Sequence, residues 1–416
     1  MRLLEHRGIL SRVPAFKSSA WLVFWTLALA YFLSYFFRSA NAVIAPELST
    51  ELRLSSGDLG LMTSLFYLSF AGSQIPIGWA LDTYGVRIVQ PVLLSVAVLG
   101  SLLFSVSSSL VTAGLARALL GIGLAGCLMA AFKAFAQWFP PERQATITGY
   151  LMALGVLGAL GASTPLALIS SQTGWRSVFV YGAGLTVIAA ALIALIVRDA
   201  PQTAAPRAVQ SRAESLSPAA SSFNFLDPTL LRIACVNFFG AGGLLSIQTL
   251  WGGKFLFDVY KLDKPQVGEL LTVLNLGVLI GYGAIGWLAD RYGLTKVALS
   301  GVAAFVACLC LLAAGVPLPL LGAVYFAFGV FGTSNLLLLT HARRLYPAAL
   351  TGRATTFVNM FGIGGTFLLQ ALIGVIVGAA PNGGYAVSFG LLALGMGLTL
   401  LLYAPVARKL EVTRAG

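Results

Sequence analysis

The amino-acid sequence predicts an all-α membrane protein, with twelve transmembrane helices in two six-helix pseudo-repeats and both termini in the cytoplasm. Three observations predict it. Apolar residues make up 58% of the 416-residue chain and charged residues only 10%, against about 25% charged in an ordinary soluble domain. The few charges lie between long uncharged stretches such as 59–81, 88–116, 144–175 and 354–407, and a bilayer core about 30 Å thick needs roughly 20 apolar residues of helix. Finally, a short sequence pattern recurs at a spacing of half the chain.

Turn residues divide the uncharged stretches into elements. Ser105 to Ser109 separate one pair of spans, and Ser170, Ser171 and Gly174 another. Gly315-Val316-Pro317-Leu318-Pro319 and Pro381-Asn382-Gly383-Gly384 divide the two longest stretches. The predicted spans are 19–45, 57–81, 87–105, 111–138, 145–169, 176–197, 230–256, 267–289, 295–314, 319–341, 353–378 and 385–405. Residues 199–228 hold four prolines among alanines, serines and mixed charges, the composition of a soluble linker. They separate an N-terminal six-helix bundle (1–198) from a C-terminal one (229–416). Arg2, Arg7, Arg12 and Lys17 precede the first apolar run. That run is long and has no small-residue cleavage site, so it is expected to stay as the first span.

Lysine and arginine set the orientation. With the N-terminus inside, cytoplasmic ends and loops hold 18 of them, the opposite side holds five (Arg53, Arg176, Lys254, Lys261, Lys264), and Arg38, Arg117 and Lys133 fall within spans. A net charge of +12 does not point to nucleic acid, because the cations are scattered between spans. The four cysteines all lie in apolar segments, which argues against a disulfide framework or a metal site.

The recurring pattern is GWALDTYGVR at 78–87 and GWLADRYGLTK at 286–296. Gly78, Asp82 and Gly85 map onto Gly286, Asp290 and Gly293 at a constant offset of 208, half of 416; Arg87 and Lys296 follow, with Arg291 beside Asp290. Parallel repeats of this kind are a known plan of membrane carriers. The loop G-x-x-x-D-x-x-G-x-R/K between spans two and three resembles the signature of the major facilitator superfamily. So do Arg117, Gly121 and Gly123 in span four, and the entries to spans five (Pro140-Pro141-Glu142-Arg143) and eleven (Pro347 through Gly352-Arg353). The resemblance covers nearly the whole chain and implies that family's fold, with these loops, Arg117, Glu142, Arg143 and Arg353 as gating elements. An aspartate at a helix end can also cap a neighbouring helix and pair with the following cation.

Ionisable groups inside a bilayer mark function by default. Arg38 lies deep in span one, and Tyr31, Tyr35 and Arg38 share one helical face. This resembles the organophosphate:phosphate and anion:cation symporter branches, which implies an anion at Arg38. Further candidate contacts to a solute are Tyr67, Gln74, Lys133, Gln248, Trp251, Asn275, Asn359 and Gln370, each of which can equally serve as hydrogen-bonding glue between spans. Span seven offers Gln248 and Trp251 where the organophosphate branch has a second arginine, a departure that weakens a phosphate-ester substrate. None of the fourteen Asp and Glu lies in the middle third of a span, so no midplane carboxylate is available to carry a proton. The expected activity is secondary active transport of a small anionic organic solute in a bacterial plasma membrane. The carrier is expected to be a monomer, coupled to a proton or a counter-anion. A transporter-like receptor or assembly factor, and a proton-coupled drug or metabolite exporter, remain as alternatives. No phosphate loop, zinc motif or cofactor motif appears, so no enzyme and no cofactor are expected.

Overall fold

The computed structural model describes residues 13–199, 224–346, 350–380 and 383–412. Most of the 199–228 linker (200–223), and residues 347–349 of the entry to span eleven, lie outside the described residues. The described chain is helical from end to end. In the first half the helices are α1 (Val13–Ser39), α2 (Asn41–Glu51), α3 (Ser56–Tyr84), α4 (Val86–Ser105), α5 (Leu110–Ala125), α6 (Cys127–Trp138), α7 (Pro141–Gly161), α8 (Thr164–Thr173) and α9 (Trp175–Ile196). The second half begins with α10 (Pro228–Ser246), a π-helical turn (Ile247–Trp251) and α11 (Gly252–Val259). It continues with α12 (Lys264–Tyr292), α13 (Leu294–Ala314), α14 (Leu318–Gly332), α15 (Asn335–Arg344), α16 (Thr351–Ala379) and α17 (Gly384–Val412).

Among the described residues, eleven helical stretches are long and apolar enough to cross a membrane. The 29-residue helix α3 stands outside that set. Its ends carry Asp58 and Asp82, and its middle is rich in serine and glycine, which lowers its hydropathy without shortening it. At 1.5 Å per residue it is about 43 Å long, more than a bilayer core.

Five predicted spans are broken where the sequence pattern showed continuous helices: at Ala40, at Gly126, at Ala162–Ser163, at the π-helical turn, and at Thr333–Ser334. Local chemistry accounts for two of them. Pro46 and Pro165 have no N–H for the carbonyls four residues earlier, Ala42 and Gly161. A side chain on Gly253 would run into the freed Ala42 backbone, so α11 sits directly against the break. π-helical turns recur at functional positions.

Within each half, helices approach closely at small residues, as membrane helices do in the absence of a hydrophobic drive between them. Between halves, α3 packs along α16, and α12 packs along α7 and α8. The bonds joining the halves cluster at the end that holds Glu47 and Ser56. Lys264 pairs with Glu47, Thr164 shares a hydrogen bond with Thr272 (2.8 Å), and Asn275 donates to Ser163 (2.9 Å). At the same end a side chain on Gly60 would meet the Gln370 carbonyl and Gly374.

Close approach predicts a contrast within α12. A side chain at Gly277 would collide with the Phe326 carbonyl of α14, whereas at Gly283 nothing lies within 4 Å. Gly277→Val should destabilise the protein by about 1–3 kcal/mol through overpacking, while Gly283→Val should leave the melting temperature in detergent nearly unchanged. Equal melting temperatures for the two variants would contradict the packing described here.

Candidate functional site

A cavity of about 180 Å³ lies between the halves. α1 supplies Tyr31, Ser34, Tyr35 and Arg38; α3 supplies Phe70 and Gln74; and the breaks in spans four and ten bring Ala125 and Asn335 to its wall. The second half adds Asn237, Tyr282 and Asn359. The Arg38 guanidinium carbon sits 4.8 Å from the ring centre of Tyr35, 5.1 Å from Phe70, 5.9 Å from Phe66 and 6.0 Å from Tyr67. Ring faces attract a cation, but they do not neutralise it. Arg38 forms no ion pair among the described residues, and its Nε is buried without a hydrogen-bond partner. The site therefore offers a half-buried positive fork with aromatic walls and neutral amide and phenol groups around it. That chemistry suits a carboxylate or sulfonate, which a guanidinium can hold bidentately.

The structure brings Tyr31, Tyr35, Arg38, Gln74 and Asn359 together at the cavity. Tyr31 reaches Tyr35 (3.4 Å) and Met152, and Gln74 donates to the Ala125 carbonyl freed near the Gly126 break (3.4 Å). Sequence reasoning missed Ser34, Asn237 and Tyr282. Ser34 lies three residues after Tyr31 and four before Arg38, on the helical face already identified. Nothing in the sequence distinguishes the other two from ordinary interhelical polar residues.

Gln248, Trp251, Asn275, Gln370 and Tyr67 form a different structure, a buried polar network that closes the cavity on one side. Gln248 donates to Asn275 (2.6 Å), Trp251 Nε1 to the Gln370 carbonyl (2.9 Å), Gln370 to Thr249 (3.2 Å) and Tyr67 to the same Thr249 (3.0 Å). Tyr67 does not line the cavity, but its ring faces Arg38 and so links the network to it. The π-helical turn explains the network, since it carries Gln248, Thr249 and Trp251 within five residues.

Lys133 is not at the cavity wall. Its ammonium donates to the Leu81 carbonyl (2.6 Å) and pairs with Asp82 (2.9 Å). Asp82 is thus held by span four rather than by the Arg87 that follows it. The helix-capping role expected of Asp82 belongs to Asp199, at the end of span six. Asp199 accepts from the backbone N–H groups of Val86 and Arg87, the first residues of α4. Arg87 itself donates to the Ala194 carbonyl (3.0 Å). Gly85 is required twice: its φ is +80°, and a side chain there would strike the Asp199 carboxylate. Gly78 and Gly286 face open space.

The second loop is built differently. Gly293 repeats the left-handed turn (φ +93°), but Asp290 is exposed and Arg291 lies over Trp287 (5.6 Å). His341 sits 208 residues after Lys133. It reads in sequence as interfacial, yet it is 1% exposed and bonded to Tyr403, with Thr295 beside it. α17 covers it, which the sequence pattern could not show. Nearby, Tyr346 donates to Asp227 (3.0 Å), and burial together with that carboxylate pushes its phenol up to about 12.

Arg117 is 1% exposed, donates to the Phe37 carbonyl (2.9 Å) and lies over the Phe104 ring (5.1 Å). It braces α1 one residue before Arg38. Glu142, Arg143 and Arg353 are exposed in the first turns of α7 and α16. Among the described residues no cluster of three or more metal-binding side chains occurs.

A family model described as the Major Facilitator Superfamily matches residues 27–259 and 249–415. The chain belongs to this superfamily. The superfamily fold recurs in solved structures at low identity. One is a bacterial homologue of the human lysosomal transporter Spinster in an inward-facing, unoccupied conformation (TM-score 0.70, 18% identity, 94% of this chain and 98% of that one). Another is a D-xylose-proton symporter (TM-score 0.73, 15% identity, 90% and 97%). Among curated relatives, a probable sulfoacetate transporter of Cupriavidus necator is 26% identical over 65% of each chain. A hexuronate transporter of Bacillus subtilis is 27% identical over 66% of this chain and 65% of that one. The matched region therefore spans just under two thirds of these two relatives. A putative tartrate transporter of Agrobacterium vitis matches more fully, at 23% identity over 94% of this chain and 91% of that one.

The two aspartates that bond at the first loop, Asp82 within it and Asp199 from the end of span six, should differ in their effect on stability. Asp199→Ala removes a helix cap and should cost about 1 kcal/mol. Asp82 is 81% exposed in its pair with Lys133, so Asp82→Ala should cost at most about 0.5 kcal/mol. Denaturation melts of the two variants check the order.

Proposed function

We propose that the chain is a secondary active transporter that carries a small anionic organic solute by alternating access. The observation that carries this reading is Arg38, an unpaired guanidinium in a cavity between two pseudo-equivalent halves. An uncompensated charge in a low-dielectric site is costly unless water or an anion reaches it. The names of the relatives point the same way, since sulfoacetate, hexuronate and tartrate are all small organic acids. The proposal counts α3 as a twelfth span, and takes 1–198 and 229–416 as two six-helix bundles joined by the 199–228 linker. It places both termini in the cytoplasm from the lysine and arginine distribution. In that orientation the polar seal lies on the outer side and the signature loops on the inner side. The bacterial relatives support a plasma-membrane location. The carrier works as a monomer, without enzymatic chemistry or a cofactor.

Coupling follows from the same charge count. Among the described residues no Asp or Glu lines the cavity, so none of them neutralises the positive site between turnovers. The loaded carrier is neutral at Arg38 and switches readily; the empty one must bury the charge alone. We infer that the solute exchanges against a second anion rather than moving with a proton. In proteoliposomes, uptake of labelled solute should be several-fold faster into vesicles preloaded with the same solute than into empty ones, and insensitive to a protonophore. Equal uptake into empty vesicles, driven by an imposed proton gradient, would overturn the exchange reading.

Thermal shift with sulfoacetate, glucuronate and tartrate tests the solute class. A binder at 100 times its dissociation constant stabilises by about 2.7 kcal/mol. Arg38→Gln should abolish the shift. Arg38→Lys keeps charge but loses the fork, and should weaken affinity roughly tenfold, as expected for one lost charge-assisted hydrogen bond. An unchanged shift in Arg38→Gln would remove Arg38 from the site. A second reading has one specific support: a membrane sensor protein of Salmonella typhimurium is 25% identical over 91% of this chain and 90% of that one. Solute counterflow separates the two, since a sensor would bind the same anion without exchanging it.

A further inference from the structure

A second cavity, of about 410 Å³, shares no lining residue with the one at Arg38. It is a slot between α12 and α13, with Val330 and Phe331 of α14 behind it. Tyr292, Lys296 and Ser300 on its rim are exposed, and all three helices belong to stretches apolar enough to cross a membrane. The slot therefore opens towards lipid. On α12 it runs from Tyr292 to Gly281, and on α13 from Lys296 to Ala304. The eleven rises from Gly281 to Tyr292 span about 16 Å, roughly half of a 30 Å hydrocarbon core. Its depth is thus that of one leaflet, polar at the surface end and apolar below.

Gly301 lines the slot, and a side chain there would meet Ser334, just before α15. At the mouth, Lys296 has no ion pair among the described residues, and the Arg291 guanidinium lies 5.8 Å from the ring of Tyr292, which lines the slot. An amphipathic tyrosine and cations at the membrane surface are what a lipid headgroup meets.

We propose that this slot binds one acyl chain of an anionic phospholipid, with the headgroup phosphate held at Lys296 and Arg291. The second signature-loop cation is then a lipid contact, whereas Arg87 in the first loop is committed to the Ala194 carbonyl. Basic side chains near a membrane surface favour anionic over zwitterionic lipid by about 1 kcal/mol each, which is about fivefold in retention.

The test uses the full chain in nanodiscs holding equal amounts of phosphatidylglycerol and phosphatidylcholine with matched acyl chains. Native mass spectrometry after a detergent wash counts the retained lipid. The wild type should keep one phosphatidylglycerol in preference to phosphatidylcholine by about fivefold or more. Lys296→Gln should lower that preference about fivefold and Lys296→Arg should keep it. Ser300→Trp, from the exposed rim, should block the slot and abolish retention; if that variant does not fold, Ala304→Phe fills the same slot from below. Equal retention of both lipids by the wild type would overturn the anionic assignment. Full retention by the slot-filling variant would overturn the slot, leaving only a surface ion pair with the headgroup.

Discussion

A backbone N–H or C=O left unpaired in hydrocarbon costs several kcal/mol, so a chain that crosses a bilayer repeatedly must satisfy its backbone within each segment. That constraint explains why the described residues are helical almost without interruption. It also explains where interruption is tolerated. The freed carbonyl of Ala42 faces Gly253, and the break at Ala162–Ser163 lies beside Thr272 and Asn275 of α12. Each irregular point is turned inwards against protein, where polar partners or a close backbone replace the missing bond. Because irregular backbone can exist only inside, the breaks collect around the central cavity and its seal.

The same scarcity of partners gives isolated charges their meaning. Arg117 is braced by the Phe37 carbonyl and an aromatic face, and Lys133 is answered by Asp82 and the Leu81 carbonyl. Arg38 has aromatic faces but no carboxylate, in a cavity with room for a ligand. The three intramembrane cations thus separate into a brace, a loop fastener and a group left without an acceptor, the one proposed to meet the solute. The distinction rests on which acceptor lies within reach, not on depth in the bilayer.

The two halves share a template but not its chemistry. At equivalent positions, Lys133 holds Asp82 at the surface while His341 is buried against Tyr403. Asp199 caps α4, whereas Thr295 in the first turn of α13 donates to the Ala407 carbonyl. The first loop is bound to the end of span six by charge, and the second to α17 by neutral hydrogen bonds. A charged contact exposed to water responds to ionic strength and to neighbouring charge; a buried neutral one does not. The two loops therefore have different sensitivities, although they share Gly, Trp, Asp, Tyr and Gly at the same spacing.

Composition and charge spacing by themselves determined that the chain is a series of apolar helices, because lipid leaves a chain few alternatives and the signal is local. Observed helix ends fall close to the predicted spans, as at Val86–Ser105 and Leu294–Ala314. The family was legible for the same reason, since its glycines and aspartates sit at fixed spacing in short loops. Sequence also singled out Arg38, because an arginine in the middle of an apolar run is rare enough to stand alone. Tertiary structure decided the rest. Whether Gln248 or Gln74 lines the cavity depends on how two halves meet across more than a hundred residues of chain, and a neutral amide carries no sign of its partner. Lys133, Asp199 and His341 were assigned only when the helices opposite them were in place. Each is defined by an acceptor from another span, and helical periodicity contains no information about which span that is.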